Sequence, residues 1–259
     1  VQPSRRHEEI VSVLQRAGEM SVEALAEQLK VSRETIRRDL ARLDEAGRVR
    51  KFHGGARAVP VAGASEKEGP FAQRMAQNVE AKRRIARAAG RLLAPDDAVF
   101  IDTGSTTVFL AEVLAELRSL VIITNSPKIA STVASNGTHK IFLIGGAYGA
   151  DAGETLGPLA LEQIVKFRAR CVMLTIGAID ASCIMDYDLQ EAEVAKAMIE
   201  RAERTIVLAD HDKFERRAVF EVAPLTAIDT LITDARPSAL MTGALAEAGV
   251  DLIVAEENG

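Results

Sequence analysis

The residues Asp102-Thr103-Gly104-Ser105-Thr106-Thr107 carry the chemistry of an anion cradle. They follow an apolar run and open a helical pattern, so hydroxyls, free backbone N–H groups and a positive helix terminus meet at one point. The Lys-Ser/Thr ending of a Walker loop is missing, which removes support for nucleotide hydrolysis. An ordinary strand-to-helix turn with a Ser or Thr cap uses the same residue types. Further polar groups follow other apolar runs: Thr124-Asn125-Ser126, Gly145-Gly146, Gly177 with Asp180, and Asp210-His211-Asp212-Lys213. Lys213 supplies a compact positive charge for a phosphate, while Asp102, Asn125 and Asp210 suit sugar hydroxyls. Thr124 to Ser126 ahead of Pro127 equally suits a helix cap. Glu191, Glu193, Asp180, Asp186 and Lys213 add acid and base groups of the kind an isomerase uses. Carboxylates at the start of a helix also simply favour its dipole.

A second chemistry is cationic. Arg33, Thr35, Arg37 and Arg38 follow Ser32, and Arg48, Arg50, Lys51, His53 and Gly54 come shortly after. Arginine forks pair bidentately with guanine, and other cations grip phosphates. The pair Arg37–Arg38 taken alone also fits a solvated helix face.

Two helices must position these groups. Leu25 and Leu29 form the buried stripe of one, and Ile36, Leu40 and Leu43 that of the next, with Lys30 and Val31 as a tight connection. Ser32 is expected as N-cap of the second helix and Gly47 as its C-terminal stop. Arg48, Arg50, Lys51 and His53 interleave with Val49 and Phe52, which predicts a short hairpin with one apolar and one cationic face. This is the layout of a helix-turn-helix with a basic wing, whose second helix enters the major groove of double-stranded DNA.

The anion cradle needs a different scaffold. AVFID (98–102), LVIIT (120–124), KIFLIG (140–145), CVMLTIG (171–177), TIVLAD (205–210), TLITD (230–234) and DLIVA (251–255) read as buried strands. Helical patterns alternate with them at Val79–Leu93, Thr106–Leu117, Pro158–Phe167, Glu191–Ala202 and Pro237–Ala248. The alternation predicts an open, mainly parallel α/β sheet, with ligands outside the carboxyl ends of its strands. Small residues and a charged SEKEG stretch predict a linker over 58–69, leaving a winged helix-turn-helix at 1–57 and an α/β domain at 70–259.

Charge is divided between these parts. Val1 to Arg57 holds 12 Lys and Arg against 9 Asp and Glu, whereas the remainder holds 20 against 28, so a chain of net charge −5 has a basic head. DNA is therefore not expected to lie across the larger domain. Two cysteines, Cys171 in an apolar run and Cys183 in a polar loop, make neither a disulfide framework nor a zinc site, and neither a metal nor a cofactor is expected. No apolar stretch reaches the roughly 20 residues of a membrane span, and no signal-peptide core precedes the first helix, so a cytoplasmic address is expected. The initial Val1 is not a native start, and processing or trimming of the first residues is expected.

TIRRDL at 35–40 with HGGA at 53–56 closely resembles the signature of DeoR-type bacterial repressors. DTGSTT, TNSP, the IGG turn, AKAMI and ADHDKF stand where that family has its effector-domain motifs, so the resemblance spans nearly the whole chain. It implies an N-terminal winged helix-turn-helix joined to a larger open α/β sheet domain resembling ribose-phosphate isomerase and coenzyme A transferase folds. It also implies a repressor of a carbohydrate-utilisation operon, acting as a homo-oligomer, dimer or tetramer, and controlled by a phosphorylated sugar or polyol effector. The residues it assigns to that effector are Lys82, Asp102, Gly104, Ser105, Thr106, Thr107, Thr124, Asn125, Gly145, Gly146, Asp180, Glu191, Asp210 and Lys213. Lys82 rests on the resemblance alone, and its neighbours Arg83 and Arg84 equally suit a solvated helix face. Ala181-Ser182-Cys183 replaces the family's glycine pair, and Glu215 stands where the family has glycine. The alternative is an isomerase-like enzyme with an attached DNA-binding head.

Overall fold

The computed structural model describes residues 6, 7, 9–11, 13, 14, 19–45, 49–52, 54–58 and 68–256, and only the backbone of residues 19, 45, 50, 57 and 58. The chain divides into two compact units, Val1–Ala64 and Ser65–Gly259.

In the first unit β1 (Glu19–Ser21) leads into α1 (Val22–Leu29) and α2 (Arg33–Glu45), followed by β2 (Val49–Phe52) and β3 (Gly55–Ala58). The strands form an antiparallel sheet in the order β1-β3-β2. Leu25, Ile36, Leu40 and Leu43 are buried with Ile10, Leu14, Val49 and Ala56, so the expected stripes meet in one core. The connection is tight because Lys30 adopts a left-handed conformation, φ 53°, closing α1 with bonds to Ala26 and Glu27. Ser32 caps α2, its Oγ accepting from the Thr35 amide at 3.2 Å. Asp39 turns inward from α2, where Arg6 Nε donates to it at 2.6 Å and His7 Nε2 lies at 2.9 Å. Burial pushes its carboxyl up, but these bonds outweigh burial and hold it below the ordinary aspartate value.

The wing corrects one expectation. Val49 is buried, but Phe52 is 43% exposed. Residues three apart on a strand point to opposite faces, so Val49 and Phe52 cannot share an apolar side. Gly55 is required by close approach, since a Cβ there would stand 2.4 Å from the Met20 carbonyl oxygen. Gly47 and His53 lie outside the described residues.

The second unit opens with α3 (Phe71–Ala76) and α4 (Val79–Gly90). Its main sheet takes β4 (Ala98–Ile101), β5 (Val121–Thr124), β6 (Lys140–Leu143), β9 (Cys171–Thr175), β12 (Thr205–Leu208), β14 (Thr230–Thr233) and β15 (Asp251–Val254). These are the seven apolar runs of the sequence, and they pair in the order β15-β14-β12-β9-β4-β5-β6, every pair parallel. Both faces are covered. Val99 and Ile101 pack with α3, α4, α5 (Ser105–Leu114) and α6 (Pro127–Ala134). Phe100 between them packs on the other face with α7 (Pro158–Ile164), α8 (Leu189–Ile199) and α9 (Ala239–Glu247). Burial on both sides is why the inner strands read as continuous apolar runs, whereas the edge strands β6 and β15, expected to be buried, are only partly so.

Smaller elements sit at the carboxyl edge. The β7–β8 hairpin (Ala147–Tyr148 and Thr155–Leu156) is one, and the antiparallel sheet β10-β11-β13 (Ala178–Ile179, Cys183–Asp186, Phe220–Pro224) is the other. Cys183, expected in a polar loop, is instead a buried strand residue.

Candidate functional site

In the first unit Ser32, Arg33, Arg37 and Arg38 are exposed at the start of α2, Thr35 is half-buried, and Lys51 and Gly54 are exposed on the wing. Arg33 is held 3.7 Å from Glu23 of α1. The Arg50 side chain and His53 fall outside what is described. The buried stripe fixes α2 while its cations face outward, which is the geometry a groove-entering helix requires.

In the second unit a cavity of about 290 Å³ opens at the carboxyl end of the sheet. Lys82, Ser105, Asp210 and Lys213 line it, together with Glu68, Gln73, Arg74, Asn78 and Tyr187. Ser105 begins α5, whose N-cap Gly104 provides no side chain to satisfy the first amides. Gly104 is extended, φ −167°, so its left-handed freedom is not the reason for glycine. A Cβ would sit 1.8 Å from Thr175 Oγ1, and it is the close packing of α5 against β9 that excludes one. Lys82 is only 3% exposed, contrary to a solvated helix face. Its Nζ donates to the Arg74 and Gln77 carbonyls and lies 4.0 Å from Asp210. Burial pulls its pKa down, with Asp210 acting in the opposite sense.

A narrow niche behind the cavity is lined by Thr103, Ser105, Thr106, Thr175, Asp186 and Glu191, with Glu68, Arg74 and Lys213 at its mouth. Burial, reinforced by Asp186, pushes the Glu191 carboxyl up to about 9. Burial and the nearby Glu68 push Asp186 up to about 6. Both carboxyls thus hold protons more readily than exposed ones, and a protonated carboxyl donates a hydrogen bond.

Several sequence-assigned residues line neither space, because the fold uses their polar atoms internally. Asp102 is fully enclosed and accepts from the Thr175 amide at 3.0 Å; burial raises its pKa to about 8. The Thr107 hydroxyl donates to the Gly104 carbonyl. Thr124 accepts from the Ser126 amide, and Ser126 caps α6. Asn125 accepts from Thr103 and donates to the Thr155 carbonyl, tying the β7–β8 hairpin down. Gly145 is bonded in both directions to Gln163. A Cβ on Gly146 would meet the Leu156 carbonyl at 2.5 Å. Asp180 accepts from the Ser182 amide and hydroxyl and the Cys183 amide, closing the β10–β11 turn. Burial pushes its pKa up, but these bonds win and it is lowered. Glu215 takes φ 58°, the left-handed conformation that explains a glycine there in the family, and its carboxylate bonds to Ser238 rather than facing Lys213.

Sequence reasoning passed over Glu68, Gln73, Arg74, Asn78 and Tyr187. The first four come from the lead-in to the sheet and from α3, where no strand end marks a ligand loop. Among the described residues no cluster of three or more His, Cys, Asp or Glu could hold a metal ion, and no helix is long and apolar enough to cross a membrane.

Comparison with known proteins agrees with this architecture. Residues 6–60 match the DeoR-like helix-turn-helix domain, and residues 77–235 match the DeoR C-terminal sensor domain. The HTH-type transcriptional repressor CsqR of Escherichia coli (strain K12) is 31% identical, covering 98% of this chain and 96% of its own. The glycerol-3-phosphate regulon repressor of the same strain is 33% identical, covering 90% of this chain and 92% of its own. A D-ribose-5-phosphate isomerase solved with phospho-erythronic acid superposes with a TM-score of 0.40 at 18% identity, over 52% of this chain and 54% of that one. The chain belongs to the DeoR family of transcriptional repressors, and is a DNA-binding regulator with a sensor domain.

Proposed function

We propose that this regulator represses a carbohydrate-utilisation operon and that its operator affinity is set by a phosphorylated sugar or sugar alcohol in the cavity at the carboxyl end of the sheet. The observation that carries the reading is the meeting of the uncapped N-terminus of α5 with Arg74, Lys82 and Lys213 around that cavity. At about 290 Å³ the space lies near the lower end of small-ligand pockets, which begin at about 300 Å³, and it suits a short phosphorylated polyol. A relative named for the glycerol-3-phosphate regulon is consistent with this class. The regulator acts as a homo-oligomer, since one winged helix buries little DNA and half-sites pair about a two-fold axis. Linkage requires that effector and operator alter each other's affinity by the same factor.

The isomerase alternative needs carboxylates that reach a substrate. Asp186 and Glu191 do converge, but on a niche of about 10 Å³, too small for a sugar. The test is thermal denaturation of the full chain with sugar phosphates, polyol phosphates and their unphosphorylated parents. A ligand at 100 times its Kd stabilises by about 2.7 kcal/mol. A shift confined to phosphorylated compounds is expected. Shifts only with unphosphorylated parents overturn the anion reading, and turnover of a pentose or hexose phosphate restores the enzyme.

A further inference from the structure

Glu68 stands between the two best-placed cations of the cavity. Its Oε2 lies 2.6 Å from Arg74 Nη1 and its Oε1 2.7 Å from Lys213 Nζ. The three side chains are mostly buried, Glu68 at 17% exposure, so the bridge is shielded from water and is no loose surface pair. The Arg74 Nε donor beside it is buried without an acceptor among the described residues. A carboxylate presents two oxygens to two cations much as a phosphate would. From these contacts we infer that Arg74 and Lys213 form the anion subsite of the cavity, that Glu68 fills it in the ligand-free chain, and that a phosphate monoester binds by displacing Glu68.

The charge balance favours this exchange. With Glu68 in place the cavity sets Arg74, Lys82, Lys213 and Arg216 against three carboxylates. Among the residues lining the cavity, removing Glu68 leaves Asp210 and Asp212 opposed to the four cations, an excess of two that Asp151, 3.7 Å from Arg74 outside the lining, reduces and that a phosphate monoester of charge about −1.5 to −2 offsets. Asn78 already donates to Asp212 at 2.8 Å and to Asp210 at 3.3 Å, which holds these two carboxylates back while Glu68 alone spans the cations. Glu68 also precedes α3 on the only covalent connection between the two units. Its release therefore frees the residues immediately ahead of α3. The inference rests on the effector reading above, and it adds a residue of this chain that competes with the effector and reports its arrival.

The probe is inorganic phosphate, titrated into the full chain by calorimetry at constant ionic strength. If the subsite is open only in the fraction of molecules with Glu68 released, Glu68→Gln tightens phosphate binding about tenfold. Lys213→Gln abolishes both the binding and the gain. Glu68→Ala serves as a second variant should the glutamine stay bonded to Lys213. Amide exchange at Glu68 and Gly69 rises when phosphate is added to the unsubstituted chain. If phosphate binds through Lys213 but Glu68→Gln and Glu68→Ala leave the affinity unchanged or weaken it, Glu68 is a structural ion pair and this inference falls, while the anion reading of the cavity stands. If phosphate binds none of the proteins, or binds Lys213→Gln equally well, both fall.

Discussion

Asp186 and Glu191 show how a residue's meaning depends on what surrounds it. Sequence placed Glu191 at the start of a helix, where a carboxylate normally stays ionised and favours the dipole. The fold instead half-buries it beside Asp186, and partial burial with that neighbour pushes its pKa up to about 9. A carboxyl that holds its proton in the folded chain but not in the unfolded one stabilises at low pH. That contribution is fully present below the unfolded value of 4.5 and is lost as pH rises through about 9. Asp186, raised to about 6, acts with the same sign over a lower window. The melting temperature is therefore expected to fall as the pH is raised from about 7 to about 9.5. Glu191→Gln keeps the shape without the titration, so it should flatten this fall and melt higher than the unsubstituted chain at the alkaline end. Thermal denaturation across that range is the check, and an unchanged slope in the variant means that Glu191 is already ionised when folded. The same scale explains which site residues were legible. Lys213, Asp210, Ser105 and Thr106 follow strands and line the proposed site, whereas Asp102, Thr107 and Asn125 share that position but spend their polar atoms on the fold. Residue type does not distinguish the two groups.

Helix α2 illustrates what an element owes to its ends. Its stripe of Ile36, Leu40 and Leu43 is fixed by the core, but the first turn, which bears the cations, is held by the Ser32 cap. Ser32→Ala should cost the first unit about 1 kcal/mol, the usual worth of such a cap. Amide exchange reads this unit by unit: amides of Ile36 and Leu40 should exchange roughly fivefold faster, while those of Val172 in the second unit stay unchanged. Equal acceleration in both units would contradict independent local stability. Cap, stripe and connection were all readable, because spacing and capping chemistry are local. The inner parallel strands were readable for a related reason, since burial on both faces leaves an unbroken apolar run. The short helix α3 and the sheet β10-β11-β13 were not, for they carry few residues and are defined by partners distant in sequence, whereas α6 was legible only in its Ser126 cap ahead of Pro127. Missing α3 is what left Arg74 out of the expected site and put Glu68 in a linker.

At the scale of the whole chain, the separation of charge favours DNA on the first unit, and the anion proposed for the second depends on cations gathered within an acidic domain. The head carries a net +3 over Val1–Arg57, while the remainder carries −8 and repels a duplex. Inside the cavity Arg74, Lys82, Lys213 and Arg216 gather within the acidic part. The two binding functions should accordingly separate under mutation. Arg37→Ala, on the exposed face of α2, is expected to weaken binding to a duplex selected from a random pool by the unsubstituted protein. The cost should be about 1–3 kcal/mol if Arg37 reads a base, with specificity relaxed at one position. If Arg37 grips a phosphate instead, the loss should be uniform across sequences and the slope of log affinity against log salt should fall by about 1. Phosphate binding to the sensor should not change in either case, because Arg37 lies outside the unit that holds the cavity. Fluorescence anisotropy at several salt concentrations, run beside phosphate calorimetry, distinguishes these outcomes. An Arg37→Ala protein with undiminished DNA affinity would show that α2 does not present this face to the groove. The cations of the wing, which follow the helix in the chain, would then have to account for the basic head.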